Sequence, residues 1–112
     1  MLMTDKIVVL STCASVEEAR RIAKELLARR LAACVNLMPP MRSVYHWKDA
    51  IEESEEILMI IKSSRALFDN LKTAIARLHS YEVPEIIALP IVDGAEAYMA
   101  WMDKELHARD AE

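Results

Sequence analysis

The chain has 112 residues, of which 54% are hydrophobic and 29% are charged, and its net charge is −4 at neutral pH. This composition is typical of one globular domain spanning residues 1–112, and it excludes a disordered protein. The negative charge argues against nucleic-acid binding. The apolar runs are too short for a signal peptide or membrane span, and two cysteines are too few for a secreted disulfide framework. We therefore expect a cytoplasmic protein without membrane contact.

A strand and a helix are predicted in the first third of the chain. The β-branched run from Lys6 to Thr12 predicts a buried strand. Ser15 and Glu18 then match a capping box, in which the serine caps the helix and the glutamate reaches back to it. The helix that follows has one apolar face, made of Ala19, Ile22, Ala23, Leu26 and Leu27.

The middle third predicts a long hairpin. The pattern is extended from Leu31 to Trp47, and Pro39-Pro40 must lie at a sheet edge or a bulge because proline has no N–H to donate. A tight turn at 48–50 leads into a strand from Ile51 to Lys62. The segment 57–61 is apolar at both its odd-numbered and its even-numbered positions, which predicts a strand covered on both faces.

The last third repeats the helix–strand pattern. Ser64 is predicted to cap a second helix, and a strand from Glu85 to Ile91 and a helix from Ala95 to Ala108 follow. The order β-α-β-β-α-β with a terminal helix predicts an α+β sandwich of the ferredoxin-like type. Right-handed crossovers place both helices on one face of the sheet.

This arrangement predicts an oligomer. The second sheet face would be wet, although the central strand is apolar on both faces, and the hairpin carries Tyr45 and Trp47 near its tip. An exposed apolar hairpin favours aggregation unless another subunit covers it. We therefore expect a closed homo-oligomer, and these features alone leave dimer and trimer open.

Several motifs occur together in one order and spacing: Leu31-Ala32-Ala33-Cys34-Val35-Asn36, Ser43-Val44-Tyr45-His46-Trp47, Ile60-Ile61-Lys62, His79 to Ile86, and Gly94 with Tyr98 and Trp101. Together they resemble the CutA family of divalent-cation tolerance proteins. The resemblance implies a cytoplasmic ferredoxin-like homotrimer of PII-like architecture, whose long hairpins wrap neighbouring subunits, with a role in divalent-metal tolerance and copper binding. Two departures are Asp49, where the family commonly has glycine, and Ser80, where it often has proline.

The segment His79 to Ile86 is the candidate site because it concentrates polar side chains where a helix gives way to a strand. His79 with Glu82 or Glu85 offers imidazole and carboxylate ligands for copper(II) or another divalent ion. The family resemblance adds Cys34 as a lower-ranked ligand for copper(I). Cys13 is expected to be the more accessible cysteine. No CxxC or HxxxH spacing is present, so we expect a weak site or one shared between subunits.

Two other functions stay open. His79, Tyr81 and Glu85 could act as acid–base groups in a cleft between subunits, with Lys62 binding an anionic substrate. The chain lacks a nucleophile elbow, a phosphate loop and paired catalytic carboxylates. We therefore expect a binding protein rather than an enzyme. By analogy with PII proteins, a trimer could also bind a small molecule or an unidentified protein partner in its intersubunit clefts.

Overall fold

The computed structural model describes residues 4–107, which form five strands and three α-helices. Their bounds are β1 (Lys6–Cys13), α1 (Val16–Ala28), β2 (Cys34–Leu37), β3 (Met41–Trp47), β4 (Ala50–Ser64), α2 (Phe68–Leu78), β5 (Ile87–Pro90) and α3 (Glu96–His107). The antiparallel sheet has the order β2-β4-β1-β5, and β3 pairs with the other end of β4. The predicted ferredoxin-like α+β fold is confirmed. The predicted end of the last helix, Ala108, lies outside the described residues.

The long strand β4 is paired along one edge by two separate strands. β2 pairs with residues 59–62 of β4, and β3 pairs with residues 50–56. Pro39 and Pro40 lie between β2 and β3, where an N–H would otherwise be needed for the ladder. The predicted interruption is therefore confirmed, but the extended region begins at Cys34 rather than at Leu31.

Helix α1 begins as predicted, although its capping glutamate bonds elsewhere. The Oγ atom of Ser15 accepts a hydrogen bond from the backbone N–H of Glu18 at 3.1 Å. The Glu18 carboxylate accepts from the N–H groups of Ala14 at 3.4 Å and Ser80 at 2.7 Å. The reciprocal half of the predicted capping box is thus wrong, because this carboxylate ties α1 to the segment that follows α2.

Two predicted boundaries in the second half are also corrected. Ser64 makes no side-chain capping bond, and a 3-10 turn over Arg65–Leu67 separates it from α2. The last strand was predicted from Glu85 to Ile91, but β5 spans only Ile87–Pro90. Glu85 therefore lies outside the sheet, in the segment that connects α2 to β5.

The main core lies between one sheet face and the helices α1 and α2. It includes Val9, Ile22, Leu26, Met59, Ile61, Leu71 and Ile75, all fully buried. Among the described residues, α3 covers the other sheet face at one end only, where the Nζ atom of Lys6 donates to Asp103 at 3.0 Å. Met102 and Leu106 of α3 pack on Ala33 in a second, smaller core.

The rest of this second face is apolar and partly open. Val8 pairs directly with Leu89, and Leu10 pairs with both Ile60 and Ile87, so these side chains share the face. Ile87 and Leu89 are 49% and 48% exposed. Within the described residues, this sheet face is therefore suited to contact with another chain. No helix in this part of the protein is long and apolar enough to cross a membrane.

Candidate functional site

His79 ends α2 and turns its ring into the protein. The ring is fully buried, and its Nε2 atom lies 2.6 Å from the carbonyl oxygen of Thr12 in β1. The Nδ1 atom accepts a hydrogen bond from the backbone N–H of Tyr81 at 3.0 Å. These partners assign the proton to Nε2, which donates it to Thr12. Both ring nitrogens are therefore engaged, and a metal ion would have to displace one of these bonds.

The Glu18 carboxylate supports the same segment from α1. Its Oε2 atom lies 3.7 Å from Nδ1 of His79 and accepts the N–H of Ser80. Burial alone raises the pKa of Glu18, but the hydrogen bonds from Ser80 and Ala14 outweigh it and hold the pKa below the usual value. Glu18 thus stays ionised at neutral pH and fixes the backbone at the start of the candidate site.

Tyr81 reaches across to a carboxylate of β4. Its hydroxyl donates to Oε2 of Glu56 at 2.7 Å. Burial raises the pKa of Tyr81, and the hydrogen bond to Glu56 raises it further, so the phenol keeps its proton. Glu56 is only 8% exposed, and no ion pair joins it to a Lys, Arg or His among the described residues. Its buried charge lacks a partner cation in this part of the chain.

A pocket of about 620 Å³ opens beside this pair. Its carboxylates come from Glu56, Glu82 and Glu85, and its aromatic rings from Tyr45, Trp47 and Tyr81. Of the described residues that line it, none is Lys, Arg or His. The pocket is therefore built to attract positive charge.

The predicted site residues fall into two groups. Glu82 and Glu85 lie together in the pocket, with exposed side chains. His79 is adjacent in sequence but is not part of the lining, and Cys34 lies apart on β2. No group of three His, Cys, Asp or Glu residues between 4 and 107 is arranged to hold one metal ion. The ligand roles of these four residues stay predictions.

Glu56 was missed by the sequence reasoning. It belongs to the run Ile51-Glu52-Glu53-Ser54-Glu55-Glu56, which resembles a solvated surface strand. Strand alternation would have distinguished it, because Glu56 shares a face with the apolar Leu58 and Ile60, whereas Glu55 points to the other side.

The two cysteines exchange their expected environments. Cys13 is the last residue of β1 and is fully buried, with its Sγ atom 3.8 Å from both Sδ of Met59 and Nε2 of His79. The expectation that Cys13 is the more accessible cysteine is therefore wrong. Burial raises the pKa of the Cys13 thiol to about 12, helped by the negative charge of Glu18. Cys34 is half-buried instead.

Lys62 does not join the pocket. It is paired with Cys34 across the β2–β4 ladder, and its Nζ atom lies 4.0 Å from the cysteine Sγ and donates to Oδ1 of Asn36. In the part of one chain that the structure describes, Lys62 therefore does not line the pocket that holds Tyr81 and Glu85, and an acid–base site shared between subunits stays a prediction.

Comparison with known proteins extends over nearly the whole sequence. The family model described as CutA1 divalent ion tolerance protein matches residues 7–105. The chain belongs to the CutA1 family. The Thermus thermophilus divalent-cation tolerance protein CutA is 46% identical over 95 residues, 85% of this chain and 92% of that protein. A solved T. thermophilus structure superposes with a TM-score of 0.84, covering 86% of this chain and 93% of the other.

Other CutA proteins extend the comparison. The Archaeoglobus fulgidus structure, titled a periplasmic divalent cation tolerance protein CutA, has a TM-score of 0.88 at 38% identity and covers 90% of this chain and 98% of its own. The mouse Protein CutA is 44% identical over 81% of this chain, which spans about half (51%) of that longer protein. Proteins similar to this chain thus occur in bacteria, archaea and animals.

Proposed function

We propose that this CutA1 protein acts in divalent-cation tolerance as a cytoplasmic homotrimer that binds divalent metal ions, copper among them, at modest affinity. The role is binding rather than catalysis. The observation that supports it is the pocket beside Tyr81, which three carboxylates line without a Lys, Arg or His among the described lining residues. Carboxylate oxygens suit divalent ions, and imidazole suits copper(II).

Glu82 and Glu85 are the ligands that we rank first. They are exposed and lie in the same pocket, so an ion can reach them without disturbing the core. His79 is a ligand only if its ring gives up the bond to Thr12, and Cys34 would serve copper(I) at a separate place on β2. Since the described residues supply no complete set of three ligands, water or a neighbouring subunit completes the shell, and the affinity is modest.

Calorimetric titration with copper(II) tests the site. The variant Glu82→Gln/Glu85→Gln is expected to lose saturable binding, while the control Glu17→Gln/Glu96→Gln, which removes two exposed carboxylates elsewhere, is expected to retain it. Loss confined to Cys34→Ser would move the site to β2. Non-saturating heats that none of these changes affects would overturn direct metal binding.

The trimer is supported by the apolar second face of the sheet and by the hairpin. Ile87 and Leu89 are half-exposed there, and Ile51 near the hairpin tip is 71% exposed. Size-exclusion chromatography with light scattering should give a molar mass three times that of the 12.7 kDa chain. Ile87→Glu should weaken the assembly, whereas Val16→Glu, on exposed α1 surface, should not. A monomeric mass for the unaltered chain at micromolar concentration would contradict the proposal.

A PII-like signalling or scaffold trimer is the second candidate. Its support is the pocket itself, since a cavity of about 620 Å³ with aromatic and polar walls has the size of a small-molecule site. A ligand that changes the pocket would then change what the trimer presents to a protein partner. This candidate predicts binding of a small organic molecule even where copper does not bind.

A further inference from the structure

Glu56 is a buried carboxylate whose charge is not balanced within the described chain. The residue is 8% exposed, and within residues 4–107 its one hydrogen-bond partner is the neutral hydroxyl of Tyr81 on Oε2. Buried charges in proteins are normally paired, because an unpaired one loses its hydration without compensation. Glu56 lines the pocket, so a ligand there can provide the missing positive charge.

We propose that the pocket between the hairpin and the segment 80–85 binds a linear aliphatic polyamine, with one ammonium group on Glu56 and another on Glu82 or Glu85. This inference rests on the second candidate function and names the ligand class of that pocket. It does not require the metal site.

The spacing of the acidic groups favours several positive charges over one. Glu56, Glu82 and Glu85 line one cavity, yet no three acidic, histidine or cysteine side chains in residues 4–107 are close enough to share a single ion. Three carboxylates in one cavity suit a ligand that carries several ammonium groups joined by methylene chains. An ammonium group also donates up to three hydrogen bonds, which carboxylate oxygens accept.

The aromatic walls suit the same ligand. Tyr45, Trp47 and Tyr81 line the pocket between and around the carboxylates. Methylene groups pack on such rings, and ammonium groups are attracted to ring faces. The chain already shows this attraction, because the Nζ atom of Lys48 lies 5.7 Å from the centroid of the Trp47 ring.

Calorimetry with spermidine on the intact assembly tests the proposal, with triethylene glycol as an uncharged chain of the same length. We expect saturable binding of one spermidine per chain and no binding of the glycol. Glu56→Gln should weaken spermidine binding about tenfold or more, since it removes a charge-assisted hydrogen bond. The matched control is Glu55→Gln, which removes the same charge from the neighbouring residue on the opposite, exposed side of β4 and should change the affinity less than twofold.

Trp47→Leu gives a second test that leaves the charges in place, and it should weaken binding severalfold by removing a ring from the pocket. Circular dichroism confirms that each variant is folded. If Glu55→Gln and Glu56→Gln lose the same amount of spermidine affinity, the binding is non-specific charge attraction and the proposal is overturned. Titration heats that do not saturate, or binding of the glycol as strong as that of spermidine, would also overturn it. Copper titrated separately distinguishes the two proposals: spermidine without copper binding refutes the metal site, and copper without spermidine binding refutes this one.

Discussion

The Tyr81–Glu56 pair makes a sharp prediction about single residues. Glu56→Gln keeps an acceptor for the Tyr81 hydroxyl and removes a buried charge without a partner cation, so the free energy of unfolding should stay the same or rise. Tyr81→Phe leaves the carboxylate without its hydrogen bond and should lower the free energy of unfolding by about 1–3 kcal/mol. Urea unfolding of both variants measures the difference. A greater loss in Glu56→Gln than in Tyr81→Phe would show that Glu56 is charge-paired in solution.

Glu18 should make the stability of the fold acid-sensitive. Its pKa is lowered in the folded state, so its contribution is fully present above the unfolded value near 4.5 and is lost as the pH falls through the folded pKa. Glu18→Gln should cost about 1–2 kcal/mol at pH 7, because it weakens the bonds to two N–H groups. The difference in free energy of unfolding between Glu18→Gln and the unaltered protein should then disappear in acid. Glu17→Gln, its exposed neighbour, should show neither effect; a constant gap from pH 7 to pH 3 would contradict the assignment.

The cysteines should differ in reactivity. The Cys13 thiol is buried and its pKa is raised to about 12, whereas Cys34 is half-buried on β2. The Cys34→Ser variant retains Cys13, so it should react with Ellman's reagent only after it is unfolded in guanidine. The Cys13→Ser variant retains Cys34 and should react while the protein is still folded. Rapid labelling of the native Cys34→Ser variant would contradict the buried position of Cys13.

The site could be predicted from the sequence only in part, and the residues show why. The segment from His79 to Glu85 was located because polar side chains cluster there. Glu56 was hidden in an acidic run, and the ring of His79 is turned inward by contacts with Thr12, which is 67 residues away. Such long-range contacts leave no local pattern to find.

At the scale of elements, the hairpin turn carries backbone strain. Lys48 and Asp49 have φ angles of 50° and 68°, and Trp47 pairs with Ala50, which describes a two-residue turn with both central residues left-handed. Lys48→Asn/Asp49→Gly should raise the free energy of unfolding by about 1 kcal/mol, since asparagine and glycine adopt this conformation more easily. Urea unfolding tests it. The control Asp69→Gly, in the first turn of α2, should lower the free energy of unfolding instead. If both changes stabilise the protein, the explanation by backbone strain in the turn is contradicted.

Element order was predictable because each element has a local signal. The break at Pro39-Pro40 is confirmed. The segment 57–61 was predicted to be covered on both faces, but only Ile57, Met59 and Ile61 are buried, and Leu58 and Ile60 on the other face are partly exposed. The boundaries at Ser64 and Glu85 were wrong for tertiary reasons. Ser64 continues the ladder as the partner of Lys6 in β1, and the short β5 pairs only with residues 7–10 of β1, so Glu85 is left in the pocket wall.

At the scale of the whole molecule, the two faces of the sheet have different roles. One face is buried under α1 and α2, and the other is apolar and half-open, with α3 covering one end. The acidic pocket lies where the hairpin meets the segment that follows α2. The chain thus has one buried face, which forms the core, and one half-open face, which is available for the proposed assembly.

Copper(II) quenching of the two tryptophans tests the central claim, cation binding in this pocket, most directly. Trp47 lines the pocket and Trp101 lies on α3, so Trp101→Phe and Trp47→Phe each leave one reporter. We predict saturable quenching when Trp47 remains, its loss on adding Glu82→Gln/Glu85→Gln, and little quenching of Trp101 alone. Equal quenching of both tryptophans, or quenching of Trp47 that persists without the two glutamates, would contradict the account.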